Sequence, residues 1–222
     1  MKIKQWITPG RVVYALIAAA PFIIGAAVYS RMPEQMPIHW NVAGEPDNYA
    51  SKAFALLGLP AFILALNVFV QVVIAHDPKR EGLRRAKAML WLVKWLLAAL
   101  PLFVQIITIA HVLAPGRVNV GLLISLAMGL LLTAVGNYLP KCPPNYTVGI
   151  RLPWTLADEN NWRKTHRLGG YVMMAGGLIL TVMSLTPWRA WAAAVIPVMV
   201  LAPCGYSFIF SGRIRRTNNT KI

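Results

Sequence analysis

Apolar residues do not alternate with polar ones along this chain, nor do they recur as a narrow stripe. They gather into six long runs: Val12–Tyr29, Phe54–Ala75, Met89–Leu113, Val118–Asn137, Gly170–Thr186 and Trp188–Phe210. About 20 mostly apolar residues cross a bilayer as a helix, so the pattern predicts six membrane-spanning helices. Pro21, Pro60, Pro101, Pro197 and Pro203 sit inside or near the start of these runs. Such kinks are tolerated where neighbouring helices re-satisfy the freed carbonyls, which favours a packed bundle over isolated anchors. Lys2, Lys4 and Arg11 precede the first run as they would in a signal peptide. No convincing small-x-small cleavage site follows before Arg31, so that run reads as a retained span.

Composition sharpens this picture. The 222 residues are 57% hydrophobic and 13% charged, whereas a soluble domain carries roughly a quarter charged residues. The expected fold is an all-α membrane protein: a bundle of six transmembrane helices with one structured outer loop and one structured inner loop. That excludes a cytosolic enzyme, a secreted disulfide scaffold and any large soluble domain. In sequence order it divides into a two-span unit, 1–87, and a four-span unit, 88–222. The 22 Lys and Arg against 7 Asp and Glu give a net charge of +15. On a membrane chain such an excess points to a bilayer with anionic headgroups, not to direct nucleic-acid binding. Two cysteines, Cys142 and Cys204, suggest neither a disulfide framework nor a zinc site. No cofactor is expected.

Loop charge sets the orientation. Of the 21 Lys and Arg outside the spans, 17 fall on the side of the two termini and 4 on the other. Basic residues stay cytoplasmic, so both termini are expected in the cytoplasm of a bacterium, with the protein in its cytoplasmic (inner) membrane. Lys94, inside a span near its inner end, can snorkel.

The outer loop, 30–53, holds Met36-Pro37-Ile38-His39-Trp40-Asn41, then Gly44-Glu45-Pro46-Asp47 and Ser51-Lys52. Its prolines and glycine exclude a helix and mark a turn. Ile38–Asn41 reads as a short strand with His39 and Asn41 on one face. Two readings stand here. His39, Glu45 and Asp47 have the chemistry to ligate a metal, or Asn41 and Asp47 hold loop amides while Trp40 sits at headgroup level. His39, Asn41, Gly44, Asp47 and Lys52 are the candidate ligand-binding set, with no metal assigned.

In the inner loop, 138–169, Asp158 is a candidate N-cap for a short helix over 159–168. Trp162, Thr165, His166 and Gly169 then line one face, and Arg163 and Arg167 form a neighbouring basic stripe. One reading is an interfacial anchor, with Trp162 at the lipid boundary and the arginines on phosphates. The other is a docking or catalytic surface built from Asn137, Asn145, Arg151, Trp154, Thr155, Trp162, Thr165, His166 and Arg167. No nucleophile–base–orienter set stands at recognised spacing, so no catalytic residue is assigned. Within the spans Asn67, Gln71 and Gln105 read as interhelical hydrogen-bond glue. The glycine pairs Gly169-Gly170 and Gly176-Gly177 mark close helix packing.

The outer stretch from Met36 to Lys52 resembles the N-terminal domain of unknown function of the SdpI family. Gly136-Asn137-Tyr138-Leu139-Pro140-Lys141, Gly149-Ile150-Arg151-x-Pro153-Trp154-Thr155-Leu156 and Trp162-x-x-Thr165-His166-Arg167-x-x-Gly169 resemble that family's second signature. The resemblance implies an immunity and signal-transduction protein that protects against an external toxic peptide and sequesters a cytosolic repressor at the membrane. The alternative, from another class, is a small membrane transporter or membrane enzyme acting on a lipid-like substrate.

Overall fold

The computed structural model describes residues 8–41, 43–79, 83 and 86–219, with side chains 188–190, 193 and 213–219 left aside. Lys2, Lys4, Arg80, Arg84, Arg85, Arg189, Arg213, Arg215, Arg216 and Lys221, which entered the orientation argument, lie outside the described residues or side chains. The long helices are α1 (Pro9–Val28), α2 (Leu59–Ala75), α3 (Lys87–Leu113), α4 (Val120–Tyr138), α6 (Glu159–Ser184) and α7 (Val195–Asn219), with a short α5 (Pro153–Ala157) before α6. Among the described residues, six helices are long and apolar enough to cross a membrane. In the most apolar window of α1, mean hydropathy is 2.2, yet only 11% of residues are buried within the protein. An apolar exterior of that extent is stable against hydrocarbon, not water, and the chain is a membrane protein.

Two boundaries differ from expectation. The short helix predicted over 159–168 and the fifth span are one continuous helix, α6. Asp158 caps it, its Oδ1 accepting from Asn161 N at 2.6 Å, and the Gly169-Gly170 pair is a packing surface instead of a break. The last span begins later, because Pro187–Ala194 forms a tighter 3-10 segment before α7.

The chain packs as two units, Met1–Val72 with Leu92–Gly121, and Val73–Trp91 with Leu122–Ile222. This spatial division differs from the sequence-order division at 87/88, since most of α3 packs with the first two spans.

In the first unit a two-stranded antiparallel sheet, β1 (Gln35–Trp40) and β2 (Pro46–Ser51), stands between α1 and α2 in the chain. The expected strand is present, but it ends at Trp40 and its register shifts on either side of His39. Asn41 therefore lies in the turn and does not share a strand face with His39. Met32, Met36, Ala55, Leu56 and Ile109 form the buried core beneath the hairpin. Proline has no N–H and displaces the carbonyl four residues earlier, so Pro60 leaves Leu56 O without its helical donor. A wider π-turn over Phe54–Gly58 opens the backbone there, and Gln105 Nε2 donates to Leu56 O at 3.1 Å. Gly25 permits this junction: a Cβ there would stand 2.8 Å from both Gln105 Nε2 and Leu56 O. Asn67 Nδ2 donates to Tyr14 Oη at 2.8 Å and Gln71 Nε2 reaches Asn67 Oδ1 at 3.5 Å. Lys94 Nζ lies 4.6 Å from the Tyr14 ring centroid. Asn67 and Gln105 bridge separate elements, as glue does, whereas Gln71 bonds within its own helix.

In the second unit α4 and α6 meet through glycine backbones. A Cβ on Gly136 would lie 2.7 Å from Gly170 O, and one on Gly177 would lie 2.6 Å from Gly129 O. Each pair is separated by seven residues along its helix, two turns, so the glycines fall on one seam and any side chain there would force the helices apart.

Candidate functional site

In the hairpin, Asn41 shapes the turn. Its Oδ1 accepts from Ala43 N at 2.9 Å and Glu45 N at 3.1 Å, and Asn41 N donates to Glu45 O at 2.9 Å. Gly44 adopts φ 85°, the left-handed region that glycine enters freely, and a Cβ there would sit 3.1 Å from the backbone of Gly121. His39 Nδ1 hydrogen-bonds Asp47 Oδ1 at 2.5 Å, with both side chains exposed. Lys52 pairs with Glu34 at 2.9 Å, its ammonium 5.0 Å from the Tyr29 ring centroid. Among the described residues, no three His, Cys, Asp or Glu side chains converge as a metal-binding group. Asn41 holds loop amides, as one reading expected, whereas Asp47 holds His39. Trp40 is half-buried and meets His111 edge-on, ring centroids 6.1 Å apart. Trp40 Nε1 and His111 Nδ1 are buried atoms without a hydrogen-bond partner among the described residues.

The second loop is built on one turn of α6. Asn145, Thr155, Trp162, Thr165 and His166 are all at most 1% exposed. The lipid-boundary role read for Trp162 is thereby corrected: its ring faces inward, and Nε1 donates to Cys142 O at 2.9 Å. His166 Nε2 accepts from Ile150 N at 3.0 Å while Nδ1 lies 2.9 Å from Trp162 O. That fixes the tautomer, because a nitrogen receiving an N–H is unprotonated and the other must donate to the carbonyl. Gly149, at φ 118°, brings the loop backbone against this imidazole, and any Cβ there would collide with Nε2.

Asn145 organises the loop from inside. Its Nδ2 donates to Pro143 O at 2.8 Å and Val148 O at 2.9 Å, and its Oδ1 accepts from Thr147 N at 2.8 Å and Val148 N at 2.6 Å. It also donates to Cys142 Sγ at 3.4 Å. Burial pushes the Cys142 thiol up from its ordinary 9.0 to about 11 against the lowering effect of that hydrogen bond. Thr155 Oγ1 lies 2.8 Å from Ile150 O and accepts from Leu152 N at 2.9 Å, fastening the start of α5. Trp154 Nε1 donates to Ser207 Oγ at 2.9 Å. Thr165 Oγ1 donates to Asn161 Oδ1 at 2.9 Å, and Asn161 Nδ2 continues to Ser207 O at 3.0 Å. Most of the expected docking set is therefore a buried polar core. Asn137, Arg151 and Arg167 are exposed, and Arg151 Nη1 donates to Tyr146 O at 2.5 Å.

Four contributors were missed by sequence reasoning. Asp77, 5% exposed, accepts from Tyr146 N at 2.9 Å and Thr147 Oγ1 at 2.5 Å through Oδ2, and from Lys79 N at 2.7 Å through Oδ1. One of only seven acids in so basic a chain, placed before Pro78 at the end of an apolar run, it was the available signal. Asn161 stands four residues before Thr165 on one helix face. Cys142 and Ser207 carried no comparable mark.

Residues 141–211 match the family model described as the SdpI/YfhL protein family, and residues 16–64 match a domain of unknown function, DUF1648. The chain is 27% identical over 192 residues to the immunity protein SdpI of Bacillus subtilis, covering 86% of this chain and 89% of that one. It is 37% identical over 57 residues to the uncharacterized membrane protein YbgB of the same organism, covering 26% of this chain and 62% of that one. No solved structure matches the chain. Both family matches fall in the order the motifs predicted, one over the hairpin and the other over the buried polar loop, and over those residues the chain is similar to the SdpI/YfhL protein family and to DUF1648.

Proposed function

We propose that this chain is an immunity protein of a bacterial cytoplasmic membrane, with both termini cytoplasmic, that resists an external toxic peptide and relays its presence to a cytosolic regulator. The observation that supports this most is the nearly end-to-end likeness to a protein named for immunity. In this reading the hairpin faces outward and receives the peptide. His39, Asp47 and Lys52 offer exposed polar contacts on a turn shaped by Asn41 and Gly44. The unpartnered ring nitrogens of Trp40 and His111 offer further hydrogen bonds beneath it. The second loop faces the cytoplasm. Its buried core (Asn145, Thr155, Trp162, Thr165 and His166) holds Arg151 and Tyr146 at the surface as a docking face for a carboxylate-bearing partner, where a guanidinium fork gives orientation as well as charge.

The test is a strain lacking the gene, challenged with a panel of secreted toxic peptides. Hypersensitivity to one of them is expected, restored by the wild-type chain and not by the His39→Ala/Asp47→Ala double variant at equal protein level. Unchanged sensitivity to every peptide, in the deletion strain and on overexpression, would overturn the reading.

A further inference from the structure

Two adjoining open grooves lie along the N-terminal turns of α6, the first of them reaching Tyr206 on α7. One, of about 380 Å³, is lined by Lys164, Arg167, Leu168, Tyr171 and Tyr206. The other, of about 360 Å³, is lined by Pro140, Asn160, Arg163, Lys164 and Arg167. Lys164 and Arg167 line both, and among the described residues no acid lines either. Lys164 Nζ lies 4.3 Å from the Phe210 ring centroid, and Tyr206 stacks on Phe210. Further along α6, Leu178 and Val182, seven and eleven residues beyond Tyr171 and so on the same face, are exposed and apolar. The cleft thus has a cationic mouth, a rim of tyrosines and an apolar continuation.

We infer that this cleft seats the headgroup of an anionic phospholipid, with Lys164 and Arg167 on the phosphate and the acyl chains lying along the exposed face of α6. Both α6 and α7 are long and apolar enough to span the bilayer, so the cationic mouth falls at a membrane–water boundary, where phosphates stand and where tyrosine rings settle. Basic pockets between transmembrane helices bind phospholipid headgroups for this reason. A soluble anion would use the cations alone, whereas a phospholipid also covers the apolar continuation. The inference does not rest on the immunity reading and is tested without it.

The purified full chain in neutral detergent is mixed with phosphatidylglycerol or phosphatidylcholine, and retained lipid is read by native mass spectrometry. Phosphatidylglycerol should be retained about tenfold more than phosphatidylcholine, and Lys164→Gln with Arg167→Gln should remove that preference. The charge-keeping pair Lys164→Arg and Arg167→Lys should restore it, and Lys87→Gln, an exposed cation at the start of α3, should leave it unchanged. Should the double variant fail to accumulate, Arg167→Gln alone should still lose about threefold. Retention unaffected by these neutralisations would assign the cations to a protein partner and overturn the proposal. Equal loss in Lys87→Gln, or displacement of the lipid by millimolar inorganic phosphate, would overturn it as well.

Discussion

Trp162 and His166 stack face to face one helical turn apart, ring centroids 3.9 Å apart and planes within 19°. Each ring also pins one end of the same loop: Trp162 Nε1 holds Cys142 O, and His166 Nε2 holds Ile150 N. A single turn of α6 therefore clamps residues 142–150 at both ends. Removing the imidazole leaves the Ile150 N–H without its acceptor, a cost of about 1–3 kcal/mol, and opens a void beside Trp162. His166→Ala should lower the unfolding temperature of the purified protein in detergent. Lys164→Ala, two residues away and exposed, loses only a contact with the Phe210 ring and should lower it far less. Equal unfolding temperatures for the two variants would show that the clamp carries no stability.

Asp77 ties the segment after α2 to the same loop through one carboxylate with three donors. An amide in its place keeps a single acceptor oxygen, so Asp77→Asn must abandon either Lys79 N or Tyr146 N, both of which can only donate. Hydrogen bonds to a charged group contribute about 1.5–3 kcal/mol, and faster hydrogen exchange at the Tyr146 amide in Asp77→Asn is the expected outcome. Thr147→Val, which removes one of the three bonds, should accelerate it less. Unaltered exchange in both would refute the tether.

The spans were legible because membrane insertion is written in local hydropathy, and the helix face Trp162–Thr165–His166 was legible because α-helical periodicity is local too. What that face touches was not. A tryptophan and a histidine one turn apart suit a lipid boundary and a buried clamp equally well on paper. The choice is made by Cys142 and Ile150, 20 and 16 residues away. Asp77 and Tyr146 lie 69 residues apart, and Asn161 and Ser207 lie 46 apart. Pairings at such separations leave no periodic trace. The continuity of α6 through Gly169-Gly170 was hidden similarly, since glycine lowers helix propensity by about 1 kcal/mol and only the facing backbone of α4 repays it.

The hairpin separates two kinds of residue. Asn41 bonds backbone amides within its own turn, so Asn41→Ala should loosen the hairpin and reduce accumulation of the protein. His39 and Asp47 form an exposed pair, worth about 0–1 kcal/mol to the fold. His39→Ala and Asp47→Ala should therefore accumulate normally while losing protection against the peptide. Immunoblots alongside a survival assay read both quantities. Reduced accumulation of His39→Ala would instead place that residue in the structure of the loop.

Orientation is open to direct chemical test. With 17 of 21 loop and tail cations on the side of the termini, a cysteine at Ser51 in β2 should react with an impermeant maleimide added to intact spheroplasts. One at Asn218 should react only after lysis. The opposite pattern would invert the topology, and with it the assignment of the hairpin to the peptide.

Cys142 provides a probe of the buried loop that needs no ligand. Its thiol is 3% exposed and its pKa is raised from 9.0 to about 11, chiefly by burial. The thiolate is the reactive form, so in a Cys204→Ser background Cys142 should label far more slowly at pH 8 than in the denatured chain. Asn145→Ala removes the side chain that spans Cys142, Pro143 and Val148 and should speed labelling in the native protein. The same shift fixes a pH dependence. Between about 9 and about 11 the denatured thiol has lost its proton while the native one retains it, so the native state binds more protons there and loses stability as pH rises through that window. Unfolding temperatures measured across it should fall more steeply for the Cys204→Ser protein than for one that also carries Cys142→Ser. Parallel curves, or rapid labelling of the folded wild-type loop, would mean that Asn145 and Trp162 do not seal this thiol from water.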